Sequence, residues 1–287
     1  MARFGPPLDA AGLIEAALAE DVGAGDVTSR WTVPEGAAGA AEIVAKAPGV
    51  LSGVEVAEAV FRRFDPSLRV ARCREEGDAV RAGERVLSVS GSLASILGAE
   101  RTALNFLCRL SGIATLARRF VDEVAGTGCR VLDTRKTTPG WRALEKRAAA
   151  AGGAANHRAG LYDMVLVKEN HIRAAGGISA ALAAAVPRAR AAGLEVEIEV
   201  TCLAELEEAL RGGPDRVLLD NMSVEELRAC VARAHASPPP RPSLEASGGV
   251  SLATARATAE TGVDFLSAGV ITHSAPALDL SLLVTIR

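Results

Sequence analysis

The sequence lacks any pair of cysteines spaced to share a metal ion. Its five cysteines are scattered and odd in number, and none belongs to a C-x-x-C motif. A thiolate zinc site and a disulfide framework are therefore not expected. Reduced thiols in a cytoplasmic protein are the better interpretation.

Long apolar runs and a strong charge of one sign are also missing. No run approaches the roughly 18 apolar residues that a membrane helix needs. The N-terminus soon becomes acidic and amphipathic, which is not the pattern of a secretory signal. The net charge is only −3, so no basic field indicates nucleic-acid binding. We expect a protein that acts on small molecules.

Lysine is rare among the basic residues. Lys and Arg together number 32, yet the only lysines are Lys46, Lys136, Lys146 and Lys168. Ammonium and guanidinium groups differ in geometry and acidity. A lysine in a chain that otherwise uses arginine is therefore a candidate for a role that needs an amine.

Residues 1–112 predict a small α+β domain. Helical spacing of apolar residues predicts helices at 8–22 and 54–64. Short strands separated by Gly and Pro are predicted at 42–46, 50–52 and 85–90. A helical passage at 95–124 leads into a second domain, which we expect to span 113–274.

The second domain alternates short apolar runs with alanine-rich helical runs. Strands are predicted at 130–133, 164–168, 194–200, 216–220, 244–246 and 265–268, and helices at 179–192, 204–211, 224–236 and 252–261. Ser223 and Glu226 form a capping box. Repeated β-then-α units predict a parallel sheet. A barrel fits better than an open sheet because no Gly-rich dinucleotide turn follows the first strand, although six clear units are fewer than a full barrel has.

Polar residues end all the predicted strands of this domain. In α/β barrels the site forms at the C-terminal ends of the strands. Any one of these residues could merely cap the next helix, but together they predict an active site. They are Asp133, Lys168, Glu199, Asp220, Ser247 and Ser267.

Two basic loops predict anion binding. Thr134, Arg135 and Lys136 follow the first barrel strand and offer hydroxyl, guanidinium and amine donors. His157 and Arg158 follow a Gly-Gly pair that permits close approach of the backbone. A solvated basic turn is the alternative for the first loop, and a structural histidine is the alternative for the second.

The strand-end carboxylates and glycines add two further expectations. Glu199 and Asp220 form either internal salt bridges or a Mg²⁺ site, since Mg²⁺ prefers one or two carboxylates plus phosphate oxygens. Glycines follow the last two strands, in 245–249 and 267–269. Backbone N–H groups at such turns bind phosphate.

With these motifs in order, the sequence resembles the quinolinate phosphoribosyltransferase family from residue 20 almost to the C-terminus. The matching segments are Glu20–Asp26, Glu100–Asn105, Asp133–Gly140, Asn156–Arg158, Lys168–His171, Leu219–Asn221, Glu245–Gly249 and Thr272–Pro276. The resemblance implies an N-terminal α/β sandwich domain, rejoined by a tail at 275–287, and an incomplete α/β barrel. It also implies transfer of a phosphoribosyl group from phosphoribosyl pyrophosphate to quinolinate with decarboxylation, a step of NAD biosynthesis.

The same resemblance implies a role for each site residue. Quinolinate is expected to contact Arg135, His157, Arg158 and Lys168, with Arg101 supplied by the partner in a homodimer or larger homo-oligomer. The phosphoribosyl donor and Mg²⁺ are expected to face Lys136, Lys168, Glu199 and Asp220. The 5′-phosphate is expected at Ser247, Gly248, Gly249, Ser267, Ala268 and Gly269. The sequence departs from the family pattern at Arg147 and Ala154.

Three alternatives remain open at this point. A Schiff-base lyase on a similar barrel would use Lys168 as nucleophile. A biotinyl or lipoyl carrier would explain the turn at 76–84, but it needs a lysine at an exposed hairpin tip, and the nearest is Lys46. A related enzyme acting on another pyridine or aromatic acid would keep the same motifs.

Overall fold

The computed structural model describes residues 9–285, which form two compact units. Among these residues, the first unit comprises 9–118, 137–153 and 272–285, and the second comprises 119–136 and 154–271. The mixed α/β class predicted from the sequence is confirmed. The division differs from the expected boundary near residue 112, because residues 137–153 group with the first unit.

The first unit carries helices α1 to α5, of which α4 extends past the unit boundary at residue 118, and six strands. Helix α1 begins after Asp9, whose carboxylate accepts the N–H of Gly12 at 2.8 Å; position 8 of the predicted helix lies outside the described residues. The helices are α1 (Ala10–Val22), α2 (Val27–Thr32), α3 (Val54–Phe64), α4 (Leu93–Glu123) and α5 (Arg142–Ala151). The strands are β1 (Ala38–Ala45), β2 (Gly49–Val50), β3 (Arg69–Arg72), β4 (Ala79–Val80), β5 (Arg85–Ser92) and β12 (Leu280–Thr285).

An antiparallel sheet with the order β12-β1-β5-β3 organises the first unit. Its register places Ile43 opposite Leu87, and both are fully buried. Every buried residue of these four strands is apolar. Strand β12 pairs with β1 along its whole length, so the C-terminal segment rejoins this sheet.

The second unit alternates strands and helices, as predicted. The strands are β6 (Arg130–Leu132), β7 (Val165–Val167), β8 (Val196–Val200), β9 (Arg216–Asp220), β10 (Ser243–Ser247) and β11 (Phe265–Ser267). The helices are α6 (Glu169–Ala175), α7 (Ile178–Ala192), α8 (Leu203–Gly212), α9 (Val224–His235), α10 (Leu252–Ala259) and α11 (Val270–His273), the last of which crosses the unit boundary. The predicted capping box is present, since Ser223 and Glu226 exchange hydrogen bonds of 2.8 and 3.3 Å.

The six strands form one parallel sheet with the order β6-β11-β10-β9-β8-β7. The first strand lies beside the last, as in an α/β barrel. Within residues 9–285 the ring is left open between β6 and β7, where β6 instead forms a parallel bridge from Leu132 to Ala155. The sheet is therefore an incomplete barrel, and the loop that contains Ala155 lies at its opening.

The register separates the two faces of this sheet. Side chains alternate along a strand, and residues opposite each other in register share a face. One face carries only apolar residues, among them Val196, Ile198, Val217 and Leu219. The other face, which we call the polar face, carries the following residues: Leu166, Glu197, Glu199, Arg216, Leu218, Asp220, Ser243, Glu245, Ser247, Phe265, Ser267, Arg130 and Leu132.

None of the helices within residues 9–285 has both the length and the apolar composition required to cross a membrane.

Candidate active site

The C-terminal ends of the barrel strands bring a lysine and two carboxylates together. Lys168 follows β7, and its Nζ donates to Glu199 Oε2 at 2.5 Å. Asp220, the last residue of β9, accepts a hydrogen bond of 2.6 Å from the side chain of Asn221. The side chain of Lys168 is 47% exposed, whereas that of Glu199 is 14% exposed. A cation and two partly buried anions therefore line one end of the polar face.

Glu199 lies close enough to Asp220 to influence the protonation of that carboxylate. Burial and the charge of Glu199 raise the pKa of Asp220, although the Asn221 hydrogen bond and the charges of Lys168 and Lys136 act in the opposite direction. Lys136 therefore belongs to the same electrostatic neighbourhood. Burial is the main cause of this raised pKa and the charge of Glu199 adds to it, so a cation bound nearby would favour the ionised form of Asp220. The two carboxylates offer the oxygen ligands that Mg²⁺ prefers.

The basic loops place two guanidinium groups near each other. Burial lowers the pKa of Arg158, and the positive charge of Arg135 lowers it further, although Glu197 and Asp163 oppose the shift. Arg158 is half-buried and donates from Nη1 to the carbonyl oxygen of Met164 at 3.3 Å. Two cations held close together in partial burial create a strong preference for an anionic ligand.

The turn after β10 needs glycine for its shape. Gly248 has φ +91°, and a Cβ at this position would lie 2.3 Å from the side-chain oxygen of Asn221. Gly249 also has a positive φ, of 62°. The Ser247 carbonyl accepts the N–H of Asn221 at 2.9 Å, which fixes the turn against the end of β9. The backbone can therefore approach a ligand more closely than a side chain would permit.

The turn after β11 is built differently. Ser267 is buried, and the N–H of Ala268 donates to the carbonyl oxygen of Leu132 at 3.1 Å. The sheet thus uses the amide of Ala268, so any contribution of Ala268 to phosphate binding does not come from that donor. Gly269 immediately precedes α11.

The remaining predicted residues occupy three different surroundings. Thr134 accepts the N–H of Lys136 at 3.1 Å and shapes the first basic loop. His157 lies beneath the strand ends, with a side chain only 7% exposed. Arg101 is exposed on α4 and belongs to the first unit, whereas the rest of the predicted site belongs to the second.

The two departures from the family pattern leave these groups untouched. Arg147 lies on α5 and pairs with Glu55 at 3.1 Å, with both side chains about half exposed. Ala154 is buried, and its backbone is not left-handed. Alanine therefore fits this position without strain.

A second layer of charged residues lies on the polar face below the strand ends. Glu197 and Glu245 are completely buried. His157 Nε2 lies 2.9 Å from Glu197 Oε2 and 3.6 Å from Glu245 Oε2. Arg216 donates from Nη1 to Glu245 at 3.0 Å, and its guanidinium carbon lies 4.3 Å from the centroid of the Phe265 ring. We call His157, Glu197, Arg216 and Glu245 the buried charge layer.

Burial dominates the protonation of this layer. It raises the pKa of Glu197, and together with the charge of Glu197 it raises the pKa of Glu245 to about 7. Sequence reasoning missed the roles of Glu197 and Arg216. The signal was available, because Glu197 stands two residues before Glu199 and a strand period of two puts both on one face.

Comparison with known proteins agrees with this architecture. Family models described as the N-terminal and C-terminal domains of quinolinate phosphoribosyl transferase match residues 26–111 and 113–283. The nicotinate-nucleotide pyrophosphorylase [carboxylating] of Mycobacterium leprae is 42% identical, over 94% of this chain and 95% of that protein. The chloroplastic protein of the same name from Arabidopsis thaliana is 41% identical, over 96% of this chain and 83% of that one.

A solved structure supports the same relationship. The nicotinate-nucleotide pyrophosphorylase from Francisella tularensis superposes with a TM-score of 0.89 at 37% identity, and the match covers 96% of each chain. The family models together span most of the chain, and the identities hold over nearly its whole length. The chain therefore belongs to the quinolinate phosphoribosyltransferase family.

Proposed function

We propose that this protein transfers the phosphoribosyl group of phosphoribosyl pyrophosphate to quinolinate, and that CO₂, pyrophosphate and nicotinate mononucleotide are the products. This is a decarboxylating step of NAD biosynthesis. The observation that carries the proposal is the pairing of two kinds of charge in one unit. Adjacent guanidinium groups of Arg135 and Arg158 suit a dicarboxylate, and the row of Lys168, Glu199 and Asp220 suits a pyrophosphorylated sugar.

The basic loops hold and orient the acceptor. Arg135 and Arg158 bind its two carboxylates, so that the pyridine nitrogen faces C1 of the ribose. Fixing both reactants in this geometry removes much of the entropic barrier to a bimolecular step. The nitrogen then attacks C1, the bond from C1 to the pyrophosphate oxygen breaks, and its electron pair leaves with pyrophosphate.

The carboxylate row stabilises the charge that develops on the ribose. Positive charge grows at C1 as pyrophosphate departs, and Glu199 and Asp220 provide fixed negative charge in a partly buried setting. Lys168 and Lys136 offset the charge of the departing pyrophosphate. Glu199 and Asp220 are also the residues that would hold Mg²⁺, which when bound neutralises phosphate oxygens.

Decarboxylation follows from the transfer itself. The alkylated ring nitrogen is cationic, so the ring accepts the electron pair of the adjacent carbon–carboxylate bond as CO₂ leaves. A proton from solvent then replaces the carboxylate. The turns at Ser247–Gly249 and Ser267–Gly269 anchor the 5′-phosphate during these steps.

The Schiff-base alternative is less favoured by the contacts of Lys168. Its ammonium group donates to Glu199 at 2.5 Å, and a nucleophilic amine would first have to lose that proton. Nor would such a lyase require paired guanidinium groups or two glycine turns.

Two further features belong to the proposal. We infer a homodimer or larger homo-oligomer in which Arg101 completes the partner's acceptor pocket; its exposure on α4 is compatible with such a contact. We also place the enzyme in the cytoplasm. Its five cysteines are all free thiols, and two of them, Cys73 and Cys202, are exposed.

Acceptor preference tests the proposed function. Turnover should be measured with quinolinate, nicotinate and nicotinamide, and pyrophosphate and CO₂ should be followed separately, with and without Mg²⁺. Quinolinate should exceed nicotinate by at least ~10² in kcat/KM, because a single carboxylate leaves a half-buried guanidinium without its partner. Both products should form in equal amounts. Equal use of nicotinate would contradict the proposal, and release of CO₂ without pyrophosphate would favour a lyase.

A further inference from the structure

The imidazole of His157 is occupied by protein groups at both nitrogens. Its Nδ1 accepts the backbone N–H of Arg158 at 2.7 Å. A ring nitrogen that accepts a hydrogen bond carries no proton, so in the neutral ring the proton lies on Nε2. That nitrogen faces the carboxylate of Glu197 at 2.9 Å. The side chain expected to bind substrate is therefore directed into the buried charge layer.

This tautomer also decides whether the buried charge layer is a metal site or a network of charged side chains. Ligand atoms of His157, Glu197 and Glu245 lie within 4.8 Å of one another, a spacing at which three such residues could hold a metal ion. A nitrogen that carries a proton cannot ligate a metal, and Nε2 is the nitrogen directed at both glutamates. The Arg216 guanidinium already provides a cation 3.0 Å from Glu245. The arrangement is that of a charge network.

The backbone of His157 is held from a second side. Asp133, which is completely buried, accepts the N–H of His157 at 2.8 Å. The ring of His157 thus lies against one buried carboxylate, and its backbone donates a hydrogen bond to another. The next residue along the chain is Arg158, one of the two guanidinium groups of the acceptor site. Fixing His157 therefore fixes the point from which the Arg158 side chain starts.

We propose that Glu197 is a positioning residue for the acceptor: by holding the His157 ring it places Arg158, and so it sets the affinity for quinolinate without touching it. This inference rests on the proposed function and deepens it. It assigns specificity to a residue one layer below the site. Glu197 is chosen over Glu245 because it lies closer to Nε2 and because Arg216 already engages Glu245.

Stability alone does not account for Glu197. Apolar replacements of a buried ionic group are often neutral or stabilising, because burying charge costs more than its pairing returns. A carboxylate at this position is better explained by the geometry that it imposes on His157.

Three variants test the proposal by steady-state kinetics. Glu197→Leu removes the carboxylate that lies 2.9 Å from Nε2 and should raise KM for quinolinate ~10-fold or more, while kcat and KM for phosphoribosyl pyrophosphate change less than ~3-fold. Glu197→Gln keeps the shape of the side chain and an oxygen beside the ring, and it should restore KM to within ~3-fold of wild type. Glu195→Leu is the matched control, because the side chain of Glu195 is 64% exposed and its carboxylate lies 3.9 Å from the guanidinium of Arg216; it should behave as wild type.

The opposite results are equally clear. An unchanged KM for quinolinate in Glu197→Leu would overturn the proposal. So would a joint loss of kcat and of both affinities that Glu197→Gln fails to restore, since that pattern indicates a merely structural role.

A second measurement uses only the wild-type protein and does not depend on any variant folding. Nitrogen NMR of the imidazoles, with four histidines in the chain, should show His157 protonated on Nε2 both before and after quinolinate is added. Protonation on Nδ1, or a large change at Nε2 on adding quinolinate, would overturn the proposal. Wild-type turnover of quinolinate, measured first, decides the proposed function separately, whereas the tautomer tests only the orientation of the His157 ring on which the positioning role depends.

Discussion

The two sheets of this molecule bury different kinds of residue. In the antiparallel sheet of the first unit, every buried residue is apolar. In the parallel sheet of the second unit, the apolar face is equally uniform, but the polar face buries Glu197, Glu245 and Ser267. Apolar packing thus determines the buried residues of the first sheet. In the second sheet it determines those of one face, whereas the other face buries polar and charged side chains beside the candidate active site.

Two arginines make this contrast concrete. Arg85 begins β5 and pairs with Glu42 at 2.9 Å, with 63% of its side chain exposed. Arg216 begins β9 and pairs with Glu245 at 3.0 Å, with 13% exposed. The distances are nearly equal, but water screens the first pair and not the second. Loss of the arginine should therefore change the free energy of unfolding little in the first pair and strongly in the second.

The largest expected effect concerns whether the first unit, like the second, contributes a residue to an active site. Arg101 is the candidate, and Arg101→Ala and Arg158→Ala should each lose most activity, by ~10² or more. Refolded together in equal amounts, about half of the dimers should be mixed, each with one intact and one doubly damaged site. About a quarter of wild-type activity should then return.

Two outcomes would remove Arg101 from the partner's site. Full activity of Arg101→Ala alone would make it an ordinary surface residue. No recovery, in a preparation shown by mass spectrometry of the intact assembly to contain mixed dimers, would place it in the site of its own chain.

The buried arginine should matter far more to stability than the exposed one. Arg216→Met leaves Glu245 buried without its cation and should lower the free energy of unfolding by about 3–5 kcal/mol at pH 8. Arg85→Met, the matched control, should cost under ~1 kcal/mol. Urea unfolding of both variants measures the difference. Equal losses would show that burial of the pair is unimportant.

The smallest effect concerns pH. The pKa of Glu245 is raised to about 7 from an ordinary value of 4.5, so between these values the folded state holds a proton that the unfolded state has released. Stability should therefore fall as pH rises from about 4.5 to 7, by up to about 3 kcal/mol, and level off above that. Glu245→Gln cannot ionise and should flatten this dependence. Unfolding midpoints of both proteins from pH 5 to 8 test it, and parallel curves would contradict it.

Much of the fold could be predicted from the sequence because its periodicities are strong. The six predicted barrel strands and the four helices between them all appear, within two residues of their predicted ends in most cases. Strands β3, β4 and β12 were not predicted. β3 is largely exposed and β4 has two residues, so neither has an apolar run. β12 pairs with β1, which is far away in the sequence, and a local sequence pattern does not indicate which distant strand it will pair with.

The candidate site was predictable by position and less so by orientation. Strand-end residues such as Lys168 and Glu199 meet as expected, because the ends of parallel strands share one edge of the sheet. For His157 the sequence indicated a basic loop, but not which way the ring points. That direction depends on Glu197 and Glu245, which lie on two different strands, and on a hydrogen bond of the ring to the next amide.

The pairing of β12 with β1 has a consequence for synthesis of the chain. All of the parallel sheet is translated after β1 and before β12. On the ribosome, β1 therefore remains an open edge strand while the whole second unit emerges. Such an edge is a template for pairing with other chains, so the first sheet to be translated is the last to be completed. Slowed translation between the two strands should lengthen the interval in which a nascent chain is vulnerable to aggregation.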